Sequence, residues 1–350
     1  MDVLVFTKYS YINLVFMTIE HDLVFHRNTR NLPSKKNIAA SRCEFPWKEV
    51  HVDRLGRIFV CGCDAWVPYS IGHVLDFDSL AEIFSSSTAQ MIQRSIELGE
   101  YEYCDTVHCG VASEFKRIAF DYEVQIGIDD SCNLQCPSCR TSMRFRDDDH
   151  YVNERNQWLQ QIQKWIKQCP DKKINILIGS NGEPFASPIY KNFLKTDFNH
   201  NVNYEIRSNG TLIKKHINEL SVLPNLKIIR LSIDAATAIT YENVRRPAKW
   251  NNLLENIDYL NMLKDRYNFR VHASFVIQKQ NLDDVLEFID FCHDNDIDSC
   301  DFTLLQDWGS FQDFDEQAVH RPGHALYRKF LQIISEPKFV KLQPAWLNNY

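Results

Sequence analysis

From about residue 120 onward the chain alternates short apolar runs of strand length with amphipathic runs of helix length. That alternation leaves few folds open. Candidate strands are Tyr122–Ile128, Lys173–Ile178, Asn203–Ser208, Leu226–Ile233, Arg270–Ile277 and Asp301–Leu305. Between them, Trp158, Leu159, Ile162, Trp165, Ile166 and Cys169 share one helical face, which Pro170 ends. Leu253, Leu254, Ile257 and Leu260 align on a second face, starting near Trp250, and Leu282, Val285, Leu286, Ile289 and Cys292 on a third. Cys169 and Cys292 lie on these apolar stripes and read as core residues rather than ligands. Six β/α units in about 215 residues predict an α/β fold, a parallel sheet wrapped by helices. In such folds the reactive groups sit at the carboxyl ends of the strands.

The end of the first candidate strand is where the chain is most unusual. Ser131-Cys132-Asn133-Leu134-Gln135-Cys136-Pro137-Ser138-Cys139-Arg140 carries three cysteines in a C-x3-C-x2-C pattern. With 11 cysteines in 350 residues, chance placement yields such a triplet about 0.01 times. Three thiolates on one short loop can hold three irons of a [4Fe–4S] cluster and leave the fourth open to bind and reduce a small molecule. Zinc and disulfides are the competing readings. Structural zinc wants four tetrahedral ligands, and no nearby fourth is obvious. An odd cysteine total without a secretory signal speaks against a disulfide framework.

Composition narrows the setting. The apolar fraction of 44% is ample for a buried core, and 350 residues suit one large domain plus a small one. A net charge of −7 gives no global attraction to nucleic acid or to an anionic membrane. Lys8, Tyr9 and Ser10 interrupt the apolar runs near the N-terminus, and Asp2 stands where a signal peptide needs a basic start. No stretch is apolar enough to span a bilayer. A reducing cytoplasmic location is the expectation.

Residues 41–112 have a different texture. Cys43-Glu44-Phe45-Pro46-Trp47 leads into an alternating stretch, Val50 to Asp53, then a turn, Arg54-Leu55-Gly56-Arg57, then Ile58–Val60 and Cys61-Gly62-Cys63. This reads as a β-hairpin delivering thiols. Ile71-Gly72, a helix from about Ser79 to Leu98, and Cys104-Asp105-Thr106-Val107-His108-Cys109 follow. Cys43, Cys61, Cys63, Cys104 and Cys109 thus place five thiols in this region.

The cysteine triplet after a first β-strand resembles the signature of the radical S-adenosylmethionine (SAM) superfamily. Ser138 stands where that family usually has an aromatic residue. The resemblance implies a partial (βα)6 TIM-like barrel over residues 118–335, with Cys132, Cys136 and Cys139 holding the cluster. Gly179-Ser180-Asn181-Gly182-Glu183-Pro184 looks like the family's motif for the SAM amino group, which marks Asn181, Gly182, Glu183 and Pro184. Ser208-Asn209-Gly210-Thr211 is similar to the family's third-strand turn. Ser208, Ser232 and Asp234 are implied as polar SAM contacts, and Arg245 as a partner of the SAM carboxylate. The order of motifs in 41–112 looks like a SPASM/twitch auxiliary-cluster module, here a small α+β unit preceding the barrel, which implies one further [4Fe–4S] cluster on Cys43, Cys61, Cys104 and Cys109 with Cys63 as a spare ligand and zinc as the alternative metal. Residues 1–40 carry no assignment beyond a connecting or partner-binding role, and 336–350 read as a C-terminal tail.

The implied activity is that of an oxidoreductase-like radical SAM enzyme. Reductive cleavage of SAM gives a 5′-deoxyadenosyl radical that abstracts hydrogen from a peptide or small natural product, with an auxiliary cluster aiding net oxidation. A flavodoxin or ferredoxin would supply electrons. His272 and Asp307, in or after the last strands, are the candidate catalytic residues. A sugar epimerase or dehydrogenase of the same class is one alternative; a non-catalytic zinc- or cluster-binding scaffold is another.

Overall fold

The computed structural model describes residues 43–61, 67, 69–104, 120–196 and 201–342. Its centre is one nine-stranded sheet. The strands are β1 (Glu49–Val52), β2 (Arg57–Phe59), β3 (Gly72–His73), β4 (Tyr122–Ile126), β5 (Ile174–Ile178), β6 (Val202–Ser208), β7 (Leu226–Ser232), β8 (Arg270–Ile277) and β9 (Ser299–Leu304). They lie in the order β3-β2-β1-β4-β5-β6-β7-β8-β9. From β4 to β9 every pairing is parallel and sequential, the pattern that repeated right-handed β/α units produce. Among the described residues β9 pairs with β8 alone and β3 with β2 alone, so the sheet is open.

The α-helices are α1 (Phe45–Lys48), α2 (Leu80–Phe84), α3 (Ser87–Glu97), α4 (Asp149–Lys167), α5 (Pro188–Leu194), α6 (Ile213–His216), α7 (Ala238–Val244), α8 (Trp250–Tyr267), α9 (Val285–Asp294), α10 (Tyr327–Ile334) and α11 (Pro337–Val340). The expected stripes are the buried ones. In α4, Asp148 caps the start through Tyr151 N–H, and Trp158, Leu159, Ile162, Trp165 and Ile166 are buried. In α8, Leu253, Ile257 and Leu260 are buried and Asn268 ends the helix in a left-handed conformation. Helix α9 buries Val285, Phe288 and Cys292, so Cys292 is core, and Cys169 packs against that core.

The two faces of the sheet differ by the two-residue period of each strand. One face carries Val124, Ile126, Ile176, Ile178, Tyr204, Ile206, Ile229, Leu231, Val271, Ala273 and Phe275, all fully buried. Burying each of the valine, leucine, isoleucine and phenylalanine side chains among them contributes about 1.5–3 kcal/mol. The other face carries Gln125, Glu205, Arg230, His272 and Ser274, which bond to one another and to neighbouring strands.

The N-terminal hairpin is part of the same sheet. Strand β1 pairs antiparallel with β2 and parallel with β4, and Gly127 N–H extends the latter ladder to Val52 O (2.8 Å). The turn is built by Asp53, whose carboxylate accepts the N–H groups of Leu55 and Arg57 (both 2.9 Å) and pairs with the Arg57 guanidinium (2.7 Å). Gly56 closes it at φ +74°, a conformation that favours glycine. With β2 and β4 on either side, all four β1 residues are buried.

Candidate active site

The cysteine triplet lies beyond the carboxyl end of β4, on a loop closed on itself. Cys132 N–H donates to Arg144 O (2.6 Å) and Arg144 N–H to Cys132 O (3.1 Å), an isolated antiparallel bridge. Beneath the loop, Asp129 is fully buried and its carboxylate collects donors: Ser131 N–H (3.1 Å), Ser131 Oγ (3.0 Å), Tyr151 Oη of α4 (3.0 Å) and Ser187 Oγ at the start of α5. Asp130 pairs with Arg144 (2.5 Å) and Arg146 (3.2 Å). Burial pushes its pKa up, but these two guanidinium groups outweigh that and hold it below the ordinary value.

The loop after β5 is pressed against this one. A Cβ on Gly182 would stand 2.7 Å from both Asp129 O and Ser131 O, so only glycine fits. Glu183 N–H donates to Ser131 O (2.8 Å), and Arg140 reaches across to Asn181 O (2.8 Å) and Asp130 O (2.8 Å). The Glu183 carboxylate is 1% exposed and turned inward. It accepts from Phe185 N–H (3.1 Å), Ser208 Oγ (2.9 Å) and Asn209 N–H (2.6 Å), tying the end of β5 to the end of β6. Burial dominates these bonds and pushes its pKa up to about 7. Pro184 closes the turn from the far side, since a Cβ on Gly179 would meet its ring at 2.8 Å.

Beyond β6, Asn209 Nδ2 donates to Cys132 Sγ (3.8 Å) and to Asn133 Oδ1 (3.0 Å). Beyond β7, Asp234 adopts φ +61° and is 2% exposed. Its carboxylate accepts Val276 N–H (2.8 Å) and pairs with Arg245 (2.7 Å). Arg245, which caps the end of α7, donates to Cys136 Sγ (3.8 Å). Burial pushes the Asp234 carboxyl up, with Arg245 opposing. Ser232 is half-buried on β7, opposite Ser274 of β8.

Segments after β5, β6 and β7 thus converge on the triplet loop after β4, and each sulfur meets an N–H donor. Leu134 N–H (3.4 Å) and Asn209 reach Cys132, Arg245 reaches Cys136, and Arg140 Nε reaches Cys139 (3.5 Å). Such donors stabilise sulfur that carries negative charge. Without a cation, burial pushes the Cys132 thiol up to about 11 and the Cys136 thiol up as well, while Cys139 is exposed. A bound metal supplies the charge that deprotonates such thiols. Three buried polar atoms have no hydrogen-bond partner here: Ser180 Oγ after β5, Tyr241 Oη of α7 and Arg245 Nε. This donor set fits an iron–sulfur cluster with a polar ligand beside it. Among the described residues, no three His, Cys, Asp or Glu side chains already converge tightly enough to hold a metal ion.

A family model described as the Radical SAM superfamily matches residues 128–305, from just after β4 to just after β9. The chain belongs to the radical SAM superfamily. Among solved structures it is similar to SuiB of Streptococcus suis bound to S-adenosylmethionine, at 17% identity and a TM-score of 0.42, covering 73% of this chain and 55% of that one. It is also similar to TYW1 with a lysine–pyruvate adduct bound, at 16% identity and a TM-score of 0.39, covering 59% of this chain and 70% of that one. For anSMEcpe with bound AdoMet the values are 14% and 0.39, covering 63% and 58%. The chain spans a little over half the length of the SuiB chains it matches. Comparison with curated proteins gave no match.

The other expected residues lie elsewhere in this superfamily fold. His272 of β8 bonds Asp301 of β9 (2.6 Å) and Ser299 (2.8 Å), and Ser274 Oγ donates to Asp301 (2.6 Å). Asp307 forms an exposed turn, accepting Gly309 N–H (2.9 Å). Of the N-terminal thiols, Cys61 is buried at the end of β2, and Cys43 and Cys104 are half-buried. Cys63 and Cys109 lie outside the described residues. A cavity of about 490 Å³ separates the triplet loop (Gln135, Pro137, Thr141) from the segment after β9 (Ser310, Phe311, Gln312). No helix among the described residues is long and apolar enough to cross a membrane.

Sequence reasoning did not single out Asp129, Arg140, Asn209 or Asp301. Arg140 and Asn209 stand inside motifs it had already read, so adjacency was the available signal. Asp129 and Asp301 act through residues distant in the chain, and no local pattern marks them.

Proposed function

We propose that this chain is a radical SAM enzyme that acts on a peptide or small natural product, with net oxidation. The observation that carries the reading is the convergence of three strand-end segments on a closed three-thiol loop whose sulfurs each meet an N–H donor. A [4Fe–4S] cluster held by Cys132, Cys136 and Cys139 supplies, when bound, the electron that splits SAM into methionine and a 5′-deoxyadenosyl radical.

The chain's own residues do the rest. Asp129 and Gly182 hold the loop in register with its neighbours. Asn181, Gly182, Glu183, Pro184, Ser208, Ser232 and Asp234 form the polar rim for SAM, with Glu183 bracing two strand ends rather than presenting its carboxylate. Exposed Cys139 gives a small electron-transfer protein, a flavodoxin or ferredoxin, a short path in. The His272–Asp301 pair on the polar sheet face is placed to accept a proton, and Asp307 lies outside that pair. Cys43, Cys61, Cys104 and Cys109, with Cys63 in reserve, form the auxiliary-cluster set of a SPASM/twitch-like unit over residues 41–112, before a radical SAM core over 118–335.

Anaerobic reconstitution with iron and sulfide tests this. The expected result is iron bound through the triplet, a visible absorption band that bleaches on reduction, and 5′-deoxyadenosine released from SAM. Protein that takes up stoichiometric zinc and no iron would overturn it.

A further inference from the structure

Arg245 is committed in a way its family role does not explain. One terminal nitrogen pairs with Asp234 (2.7 Å) and the other donates to Cys136 Sγ (3.8 Å). The pair is rigid on both sides. Asp234 is anchored by Val276 N–H (2.8 Å) and is 2% exposed, while Arg245 N–H closes the last turn of α7 on Tyr241 O (2.8 Å). The arginine side chain is 12% exposed. Only Nε remains without a partner, and it is buried.

We propose that Arg245 is a positioning residue for the cluster: held by Asp234, it gives an N–H and a fixed positive charge to the Cys136 sulfur and so raises the cluster's reduction potential. The physical reason is charge placement. Reduction adds one electron to the cluster, and a guanidinium fixed against a ligand sulfur in a low-dielectric pocket stabilises the reduced form more than the oxidised one. Asp234 offsets part of that charge from the opposite edge of the guanidinium, so the pair sets the potential together. The inference rests on the cluster-bearing reading above.

The test compares reconstituted wild-type protein with Arg245→Met, Arg245→Lys and Asp234→Asn. The readouts are retained iron, the midpoint potential from a spectroelectrochemical titration, and the dissociation constant for SAM. Arg245→Met should lower the potential by at least the equivalent of a tenfold change in the one-electron equilibrium, about 59 mV. Arg245→Lys, which keeps the charge, should shift it less. Asp234→Asn should shift it the other way, because the guanidinium charge is then less offset. SAM affinity should stay close to wild type in Arg245→Lys. If Arg245→Met fails to hold iron, the opposite signs expected for Arg245→Lys and Asp234→Asn still decide. Unchanged potentials in iron-loaded variants, or a tenfold loss of SAM affinity without a shift, would overturn the inference alone. Wild-type protein that binds no iron would instead sink the proposed function.

Discussion

The two cysteine-bearing regions are held together by different kinds of contact. In the N-terminal hairpin the decisive bonds are local: Asp53 accepts from residues two and four positions away. In the triplet loop they are remote: Arg140 reaches 41 residues ahead to Asn181, Asn209 reaches 77 back to Cys132, and Arg245 109 back to Cys136. A local turn forms from its own few residues. The triplet loop has local donors in Leu134 and Arg140, but Asn209 and Arg245 reach its sulfurs only when distant strand ends are brought side by side.

Substituting thiols gives the largest expected contrast. Cys132→Ala, Cys136→Ala or Cys139→Ala should take 5′-deoxyadenosine formation to background. Cys104→Ala should leave it near wild type while abolishing product, read by mass spectrometry of candidate substrates. If Cys104→Ala also abolished SAM cleavage, the two regions would not be functionally separable.

Acidity gives a second contrast. The Glu183 pKa is raised from 4.5 to about 7, so between those values the folded state holds a proton that the unfolded chain releases. The stability of cluster-free protein should therefore fall as pH rises through that window, by on the order of 3 kcal/mol. Glu183→Gln should remove that slope in thermal melts run from about pH 5 to about pH 8. Asp130, lowered by Arg144 and Arg146, works in the opposite sense: its contribution is lost as pH falls through its depressed value.

Two glycines sharpen the comparison further. Gly182→Ala forces a Cβ to 2.7 Å from two backbone oxygens, neither of which can turn away. It should cost about 1–3 kcal/mol and reduce iron uptake. Gly99→Ala, after α3, meets nothing within 4 Å but sits at φ +72°. It should cost about 1 kcal/mol with iron uptake unchanged. Of similar size to Gly99→Ala, Asp53→Ala removes two hydrogen bonds and an ion pair from the hairpin turn. Chemical denaturation should show a loss of about 1 kcal/mol, with SAM cleavage intact.

Much of the fold was legible in the chain. All six expected core strands exist with ends shifted by at most two residues, because buried apolar runs bounded by turn residues leave little freedom. The helical stripes were legible for the same reason. The joining of β1 to β4 was not, since the partners in that ladder stand more than 70 residues apart. Within the site, the triplet and the 179–184 and 208–211 turns were legible as motifs, but the inward turn of Glu183 and the hold of Arg245 on Cys136 were not.

By itself the sequence determined the local facts: three thiols on one short loop after a strand, a two-residue period giving each strand an apolar and a polar face, and capped amphipathic helices. Those follow from spacing, which a linear text contains. Tertiary structure alone decided that Asn209 meets Cys132 and Arg245 meets Cys136, which carboxylate is buried among partners, and which strand lies beside β4. Such bonds join residues far apart in the chain, so their geometry is set by how the elements pack and leaves no mark on the residues between.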